Sequence, residues 1–246
     1  MFVDVHCHLE MFRDLRKIVS ESVSQGTKTI VSASVDMNSM KSNLKISGKF
    51  YEVECCLGVH PVNLLSMKEK ELSESISFLK KNISSCKAVG EIGVDFKYAD
   101  SAEKKEKQFK VYREQLLIAE ENSMPVVVHS RFAEKKSLEI LSDFNGKVLL
   151  HWFDGSTESF KEGLKRNYFF SVGPAIIFNP DYLKKVLVIP LENLLLETDS
   201  PVEFEGKKAM PFWVKKVAEK LAEEKSISLK GIEEQTTKNA IKFFSL

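Results

Sequence analysis

Short apolar runs alternate with amphipathic stretches from one end of the chain to the other. The runs cover residues 2–6, 29–33, 54–59, 88–92, 126–129, 148–151, 169–173 and 194–199. Each is rich in Val, Ile, Leu or Phe, too short for a helix and bounded by turn residues, the pattern of a strand buried on both faces. Between them apolar residues recur at helical spacing. Residues 103–122 put Phe109, Tyr112, Leu116, Leu117 and Ala119 on one side, and 132–144 read as helix until Asn145-Gly146. Eight strands alternating with helices predict a parallel α/β fold, and eight is the number that closes a barrel. An open doubly wound sheet alternates in the same way, but no G-x-G-x-x-G follows the first run, which weakens the dinucleotide-binding form of that alternative. No repeat, low-complexity segment or Pro/Gly/Ser-rich linker breaks the pattern. Residues 1–246 therefore read as one domain, a (β/α)8 TIM barrel.

One run carries an anomaly. Val89-Gly90-Glu91-Ile92-Gly93-Val94-Asp95-Phe96 places a carboxylate at the end of a buried strand, with glycines on both sides. Desolvating an unpaired charge costs several kcal/mol or drives the group to protonate, so something positive is expected on Glu91. The glycines permit close backbone approach. A Lys or Arg would satisfy the charge, but the histidines point elsewhere. His6-Cys7-His8 closes the first strand, and alternation puts both imidazoles on one face and Cys7 on the other. His60 follows the third strand, His129 ends the fifth, His151 the sixth and Asp199 the eighth. All five histidines of the chain thus fall at C-terminal strand ends, which in a barrel share the face that carries active sites. A lone strand-end His is more often a hydrogen-bonded structural residue, and Asp199 before Ser200-Pro201 could be an Asx-turn residue. Neither reading explains His, His, Glu, His, His and Asp on one ring. A metal centre at that face does.

Charge and cysteine content narrow the partners. Lys+Arg of 36 against Asp+Glu of 35 leaves a net charge of +1, so a globally basic nucleic-acid binder is not indicated and any phosphate recognition must be local. Lys104-Lys105-Glu106-Lys107 and Lys215-Lys216 lie in amphipathic patterns and read as solvated helix faces. There is no basic-then-apolar leader, and no segment approaches the ~18 apolar residues of a membrane span. A cytoplasmic, membrane-free protein is expected. Cys7, Cys55, Cys56 and Cys86 form no C-x-x-C pair and read as reduced core thiols, with Cys55 and Cys56 on opposite strand faces.

The order of these motifs resembles the TatD-type metal-dependent deoxyribonucleases, which belong with the amidohydrolase-like (β/α)8 metal hydrolases. The resemblance rests on Val5-His6-Cys7-His8-Leu9, Gly58-Val59-His60-Pro61, Gly90-Glu91-Ile92-Gly93-Val94-Asp95, Pro125-Val126-Val127-Val128-His129-Ser130-Arg131, His151-Trp152-Phe153 and Leu196-Glu197-Thr198-Asp199-Ser200-Pro201. Thr236-Thr237-Lys238-Asn239-Ala240 with Phe243-Phe244 matches the terminal helix. The resemblance implies two divalent ions, Zn, Mn, Co, Ni or Mg, the last suiting an imidazole-rich shell least well. His6, His8 and Asp199 would hold one, His129 and His151 the other, and Glu91 would bridge both. Two such ions activate water and clamp phosphate oxygens. Asp199 is then also the proton acceptor, and His60 is assigned to phosphate or leaving-group contact. Arg131, two residues beyond His129, suits a bidentate phosphate contact, and Trp152 or Phe153 a stacked unpaired base. Asp4, Asp95 and Glu197 are candidates to support the ligands from behind, Asp4 and Glu197 by sharing parity with His6 and Asp199.

The expected function is a metal-dependent phosphodiesterase hydrolysing DNA, acting as a monomer and a 3'-5' exonuclease on single-stranded ends. The alternative is an amide or ester hydrolase on the same scaffold, for instance one deacylating misaminoacylated tRNA. A module keeping metal for folding alone is disfavoured, because a structural zinc site needs only four closed ligands. Departures from the family pattern touch the rim: Trp152 replaces a small residue, Asp154 a Thr and Val202 an aromatic. Glu203-Phe204-Glu205 and Lys207-Lys208 reshape the loop that follows.

Overall fold

Every predicted apolar run is a strand in the computed structural model, which describes residues 1–246. The strands are β1 (Phe2–Cys7), β2 (Thr27–Ala33), β3 (Val53–Leu57), β4 (Ala88–Asp95), β5 (Val126–Arg131), β6 (Val148–His151), β7 (Phe169–Val172) and β8 (Leu194–Leu196). They pair in parallel in chain order, β1 to β8, with helices between them, which is the (β/α)8 barrel. No helix is long and apolar enough to cross a membrane.

Alternation along the strands sorts side chains into two apolar layers. Val31, Cys56, Val127, Leu149 and Leu195 pack with Val3 and Val5 in one cluster, to which Ala240, Phe243 and Phe244 of the helix Leu229–Phe244 belong. Their chain neighbours Cys55, Leu57, Val128, Leu150, Leu194 and Leu196 pack in another, against helix residues such as Tyr112, Leu138 and Phe160. Burying a side chain of this size contributes about 1.5–3 kcal/mol. Cys55 and Cys56 indeed fall in different layers, and all four thiols are free and buried.

The helix predicted over 103–122 spans Ala102–Glu121, capped by Ser101, which accepts from the Lys104 N–H. Its buried face is not the one expected at Leu117, which is 54% exposed. Two glutamines take the space. Gln115 Oε1 accepts from the Val59 N–H at 2.8 Å, and Gln108 Oε1 from the Asp95 N–H at 2.9 Å. The helix thereby anchors the loop that follows β3 and the C-terminal end of β4. The next helix begins only at Glu134, because Phe132, at φ 54°, turns the chain away from β5.

The sheet closes in an unusual way. β8 stops at Leu196, and its polar continuation meets β1 instead: the Asp199 N–H donates to the His6 carbonyl at 2.9 Å and the His8 N–H to the Ser200 carbonyl at 2.7 Å. Asp4 completes the seam by accepting from the Thr198 N–H at 3.0 Å and hydroxyl at 2.6 Å. Beyond it, β9 (Glu203–Phe204) and β10 (Lys207–Lys208) form a small antiparallel hairpin absent from the sequence reading. Its two turn residues, Glu205 and Gly206, have φ 49° and 74°, as a tight twisted hairpin demands.

Candidate metal centre

No Lys or Arg reaches Glu91. The buried carboxylate is ringed by imidazoles, and its two oxygens face different sets. Oε2 lies 3.3 Å from His6 Nε2 and 3.7 Å from His8 Nε2. Oε1 lies 2.8 Å from His129 Nδ1, 3.4 Å from His60 Nε2 and 3.8 Å from His151 Nε2. Asp199 Oδ1 closes the ring at 3.3 Å from His8 Nε2, 3.6 Å from His6 Nε2 and 3.9 Å from His151 Nε2. The glycines of β4 make this convergence fit. A Cβ at Gly93, where φ is 141°, would stand 2.0 Å from the His129 carbonyl, and one at Gly90 would stand 2.7 Å from Val127 Cβ.

The far nitrogen of each ring identifies which nitrogen is free to bind. His151 Nδ1 donates to Glu197 Oε2 at 2.6 Å, leaving Nε2 toward the centre. Glu197 is itself fixed by the Ser171 hydroxyl at 2.5 Å and the Trp152 N–H at 3.1 Å. His129 Nε2 pairs with Asp95 Oδ2 at 3.0 Å, and His8 Nδ1 with the Ala33 carbonyl at 3.2 Å. Such acceptors orient metal-binding imidazoles and raise their basicity. His60 differs: its Nδ1 accepts from the Val62 N–H at 3.2 Å, so in the neutral ring the proton sits on Nε2, which faces Glu91. His6, fully buried, has no hydrogen bond at either nitrogen. An unpartnered imidazole in a dry interior is costly unless another ligand engages it.

Three groups bring ligand atoms close enough to hold an ion: His6, His151 and Asp199; His6, His8 and Glu91; and His60, Glu91 and His129. His151 thus groups with His6, whose ring it stacks on at 3.6 Å, while His60 groups with His129. Proximity alone would make His60 a ligand in place of His151. The hydrogen-bond pattern favours His151: with Nδ1 donating to Glu197, its neutral ring presents the Nε2 lone pair inward, whereas that of His60 presents an N–H. Imidazole and carboxylate donors together fit divalent transition metals.

The electrostatics are those of a site built for positive charge. Burial pushes Glu91 upward, but the charges of His60 and His6 and the hydrogen bond from His129 hold it well below the usual carboxylate range. Asp199 is likewise raised by burial yet held low overall, by the His8 hydrogen bond and the charges of His151, His8 and His6. Burial alone would lower His8 and His151. Asp199, Glu91 and Glu10 bring His8 to about 9, and Glu197, Glu91 and Asp199 bring His151 to about 10.

The remaining predicted residues sort clearly. Arg131 ends β5 and is exposed at the mouth. Trp152 is partly buried with φ 37°, its ring 6.4 Å from His151, whereas Phe153 is core, packed between Phe160 and Phe170. Asp95 and Glu197 sit behind His129 and His151. Asp4 does not support a ring: the β1–β2 register shifts between Asp4 and Cys7, and its carboxylate goes to Thr198 and the His6 N–H. Sequence reading missed Glu10, whose Oε1 lies 3.8 Å from His8 Nδ1, although it shares parity with His6 and His8. It also missed Ser171, for which the sequence carries no signal.

The chain matches the family model described as TatD related DNase over residues 3–245. It is 34% identical to the human protein called Deoxyribonuclease TATDN3, with 98% of this chain and 94% of that protein aligned. It is 30% identical, over all of both chains, to the Bacillus subtilis protein called Uncharacterized metal-dependent hydrolase YabD. Among solved structures, the TatD homolog YJJV from Escherichia coli superposes with a TM-score of 0.89 at 24% identity, covering 100% of this chain and 98% of that one, which bears on the fold. With its barrel and nearly its whole length matched, the chain belongs to the TatD-related DNase family.

Proposed function

We propose that this family member, a metal-dependent hydrolase, cleaves phosphodiester bonds of DNA with two divalent ions bridged by Glu91, one held by His6, His8 and Asp199 and the other by His129 and His151. The observation that carries this reading is the division of Glu91, whose Oε2 faces His6 and His8 while Oε1 faces His129, His60 and His151. When bound, the ions supply Lewis acidity to the phosphate and lower the pKa of the attacking water. The residues do the rest. Asp199, ionised and beside three imidazoles, accepts the proton of the attacking water. His60, with Nε2–H directed into the centre, donates to a phosphate or leaving-group oxygen, and Arg131 at the mouth takes a neighbouring phosphate.

The whole chain, 1–246, acts as one hydrolase domain, in the cytoplasm and as a monomer, trimming single-stranded ends in the 3'-5' direction. Its partly buried Trp152 beside the centre supports a preference for unpaired bases. The test is cleavage of single strands labelled at the 5' end, with metal content measured on the same sample. A ladder shortening from the 3' end with two ions per chain is expected. Intact strands together with release of amino acid from mischarged tRNA would replace this reading with the ester-hydrolase alternative.

A further inference from the structure

One side of the mouth is lined by a row of rings. It starts at Trp152, continues to Phe204 at 5.8 Å and 33°, and ends at Phe178, a further 5.4 Å on and nearly parallel at 14°. The three come from different connections, those following β6, β8 and β7, with Phe204 on β9 and Phe178 at the end of the short helix Ala175–Phe178. Phe178 is 37% exposed and Ile177 beside it 36%. Of the four exposed aromatic side chains, Tyr51, Tyr98, Phe132 and Phe178, all but Tyr51 follow C-terminal strand ends. Aromatic exposure is thus concentrated at the metal face.

The β9–β10 hairpin adds a charge to this row. Lys207 is directly opposite Phe204, and Lys208 directly opposite Glu203. Opposed residues of an antiparallel pair project from the same face, so one face pairs a ring with a cation and the other a cation with a carboxylate. A half-buried ring beside an exposed cation, with the exposed Phe178 stacked next to it, matches one nucleotide unit, a flat base joined to an anionic phosphate. The row also runs continuously from the ring next to the ligand His151.

We propose that Phe178, Phe204 and Lys207 form a holding site for one unpaired nucleotide of the strand being cut, the base lying on the rings and its phosphate on Lys207. The inference rests on the phosphodiesterase reading and deepens it: the site selects a base whose face is free, which a paired duplex does not offer. Phe204 and Phe178 serve specificity here, without contact to the reacting atoms.

The test uses the full-length, metal-loaded protein and two strands, an oligothymidylate and the same oligomer built from 5,6-dihydrothymidine. The second keeps every phosphate but has puckered rings that stack poorly. The wild type is expected to prefer the planar strand in kcat/KM by about five- to a hundredfold, the scale of one stacked base. Phe178→Ala and Phe204→Leu, the latter keeping apolar bulk without a flat ring, should shrink that preference, read as the ratio of kcat/KM on the two strands. Lys207→Gln should lower the salt slope of binding by about 0.7, one phosphate's share on a single strand. Lys208→Gln, the same charge change on the other face, should not. Equal rates on both strands by the wild type overturn the base site, as does equal behaviour of the two lysine variants. If the wild type cuts neither strand, the phosphodiesterase reading itself falls and this site with it.

Discussion

Replacing Asp199 by Asn separates its chemical role from its structural one. The backbone at 199 is left-handed, with φ 49°, and its N–H ties the barrel seam to the His6 carbonyl at 2.9 Å. Asn adopts this conformation as readily as Asp, so the seam survives. What disappears is a negative charge 3.3 Å from His8 Nε2 and 3.6 Å from His6 Nε2, together with the oxygen able to take a proton. Burial pushes this carboxyl upward, but the surrounding imidazoles hold it low, so it is ionised at neutral pH. A positioned general base contributes ~10²–10⁴ in rate, or ~3–5 kcal/mol of barrier. Asp199→Asn should therefore lower kcat on single-stranded DNA by at least about a hundredfold, with Tm under saturating metal unchanged. Metal content must be measured alongside, so that an emptied site is not mistaken for a lost base. Near-normal turnover with both ions present would refute the proton-acceptor assignment.

Three further outcomes test the centre. Glu91→Gln should release both ions together, as read by elemental analysis, because the amide no longer offsets two dications; retention of two ions with full activity would contradict bridging. His6→Ala and His129→Ala should each lose a different ion, distinguishable by occupancy and by which cation restores activity, whereas identical loss would point to a single mononuclear centre. In metal-stripped protein, His8 and His151 bind protons more tightly folded than unfolded, their values rising from 6.5 to about 9 and about 10. Their contribution to stability is fully present below about 6.5 and lost as pH rises through 9 and 10. The Tm of chelated protein should fall across that window, and a flat or rising Tm would count against these charge pairs.

Strand positions and the ring of histidines and carboxylates are legible in the sequence because both follow simple periodicities: apolar runs for β1 to β8, polar residues at their ends. The misreadings arise where another interaction overrides a period. Helical spacing places an apolar Leu117 inward, but Gln108 and Gln115 win that face by hydrogen-bonding the end of β4 and the loop after β3. Strict alternation aligns Asp4 with His6, but the register shift between Asp4 and Cys7 breaks it. The β9–β10 hairpin escaped because two-residue charged strands leave no apolar pattern. Which nitrogen each histidine turns inward is not written locally either. For His151 it is decided by Glu197 and for His8 by the Ala33 carbonyl, contacts that exist only after folding.

The seam between β8 and β1 has a consequence for the life of the chain. Residues 4–8 meet residues 198–200 there, so the contact that closes the cylinder is also the one that brings Asp199 to the histidines. Contacts so distant along the sequence are entropically expensive and form late. During synthesis, a ribosome-tethered fragment ending before β8 would carry all five histidines and Glu91 yet lack Asp199, the group assigned to take the proton. On the proposed assignment such a fragment would be inert beside the cell's nucleic acids, and competence would wait until residues 198–200 had met residues 4–8.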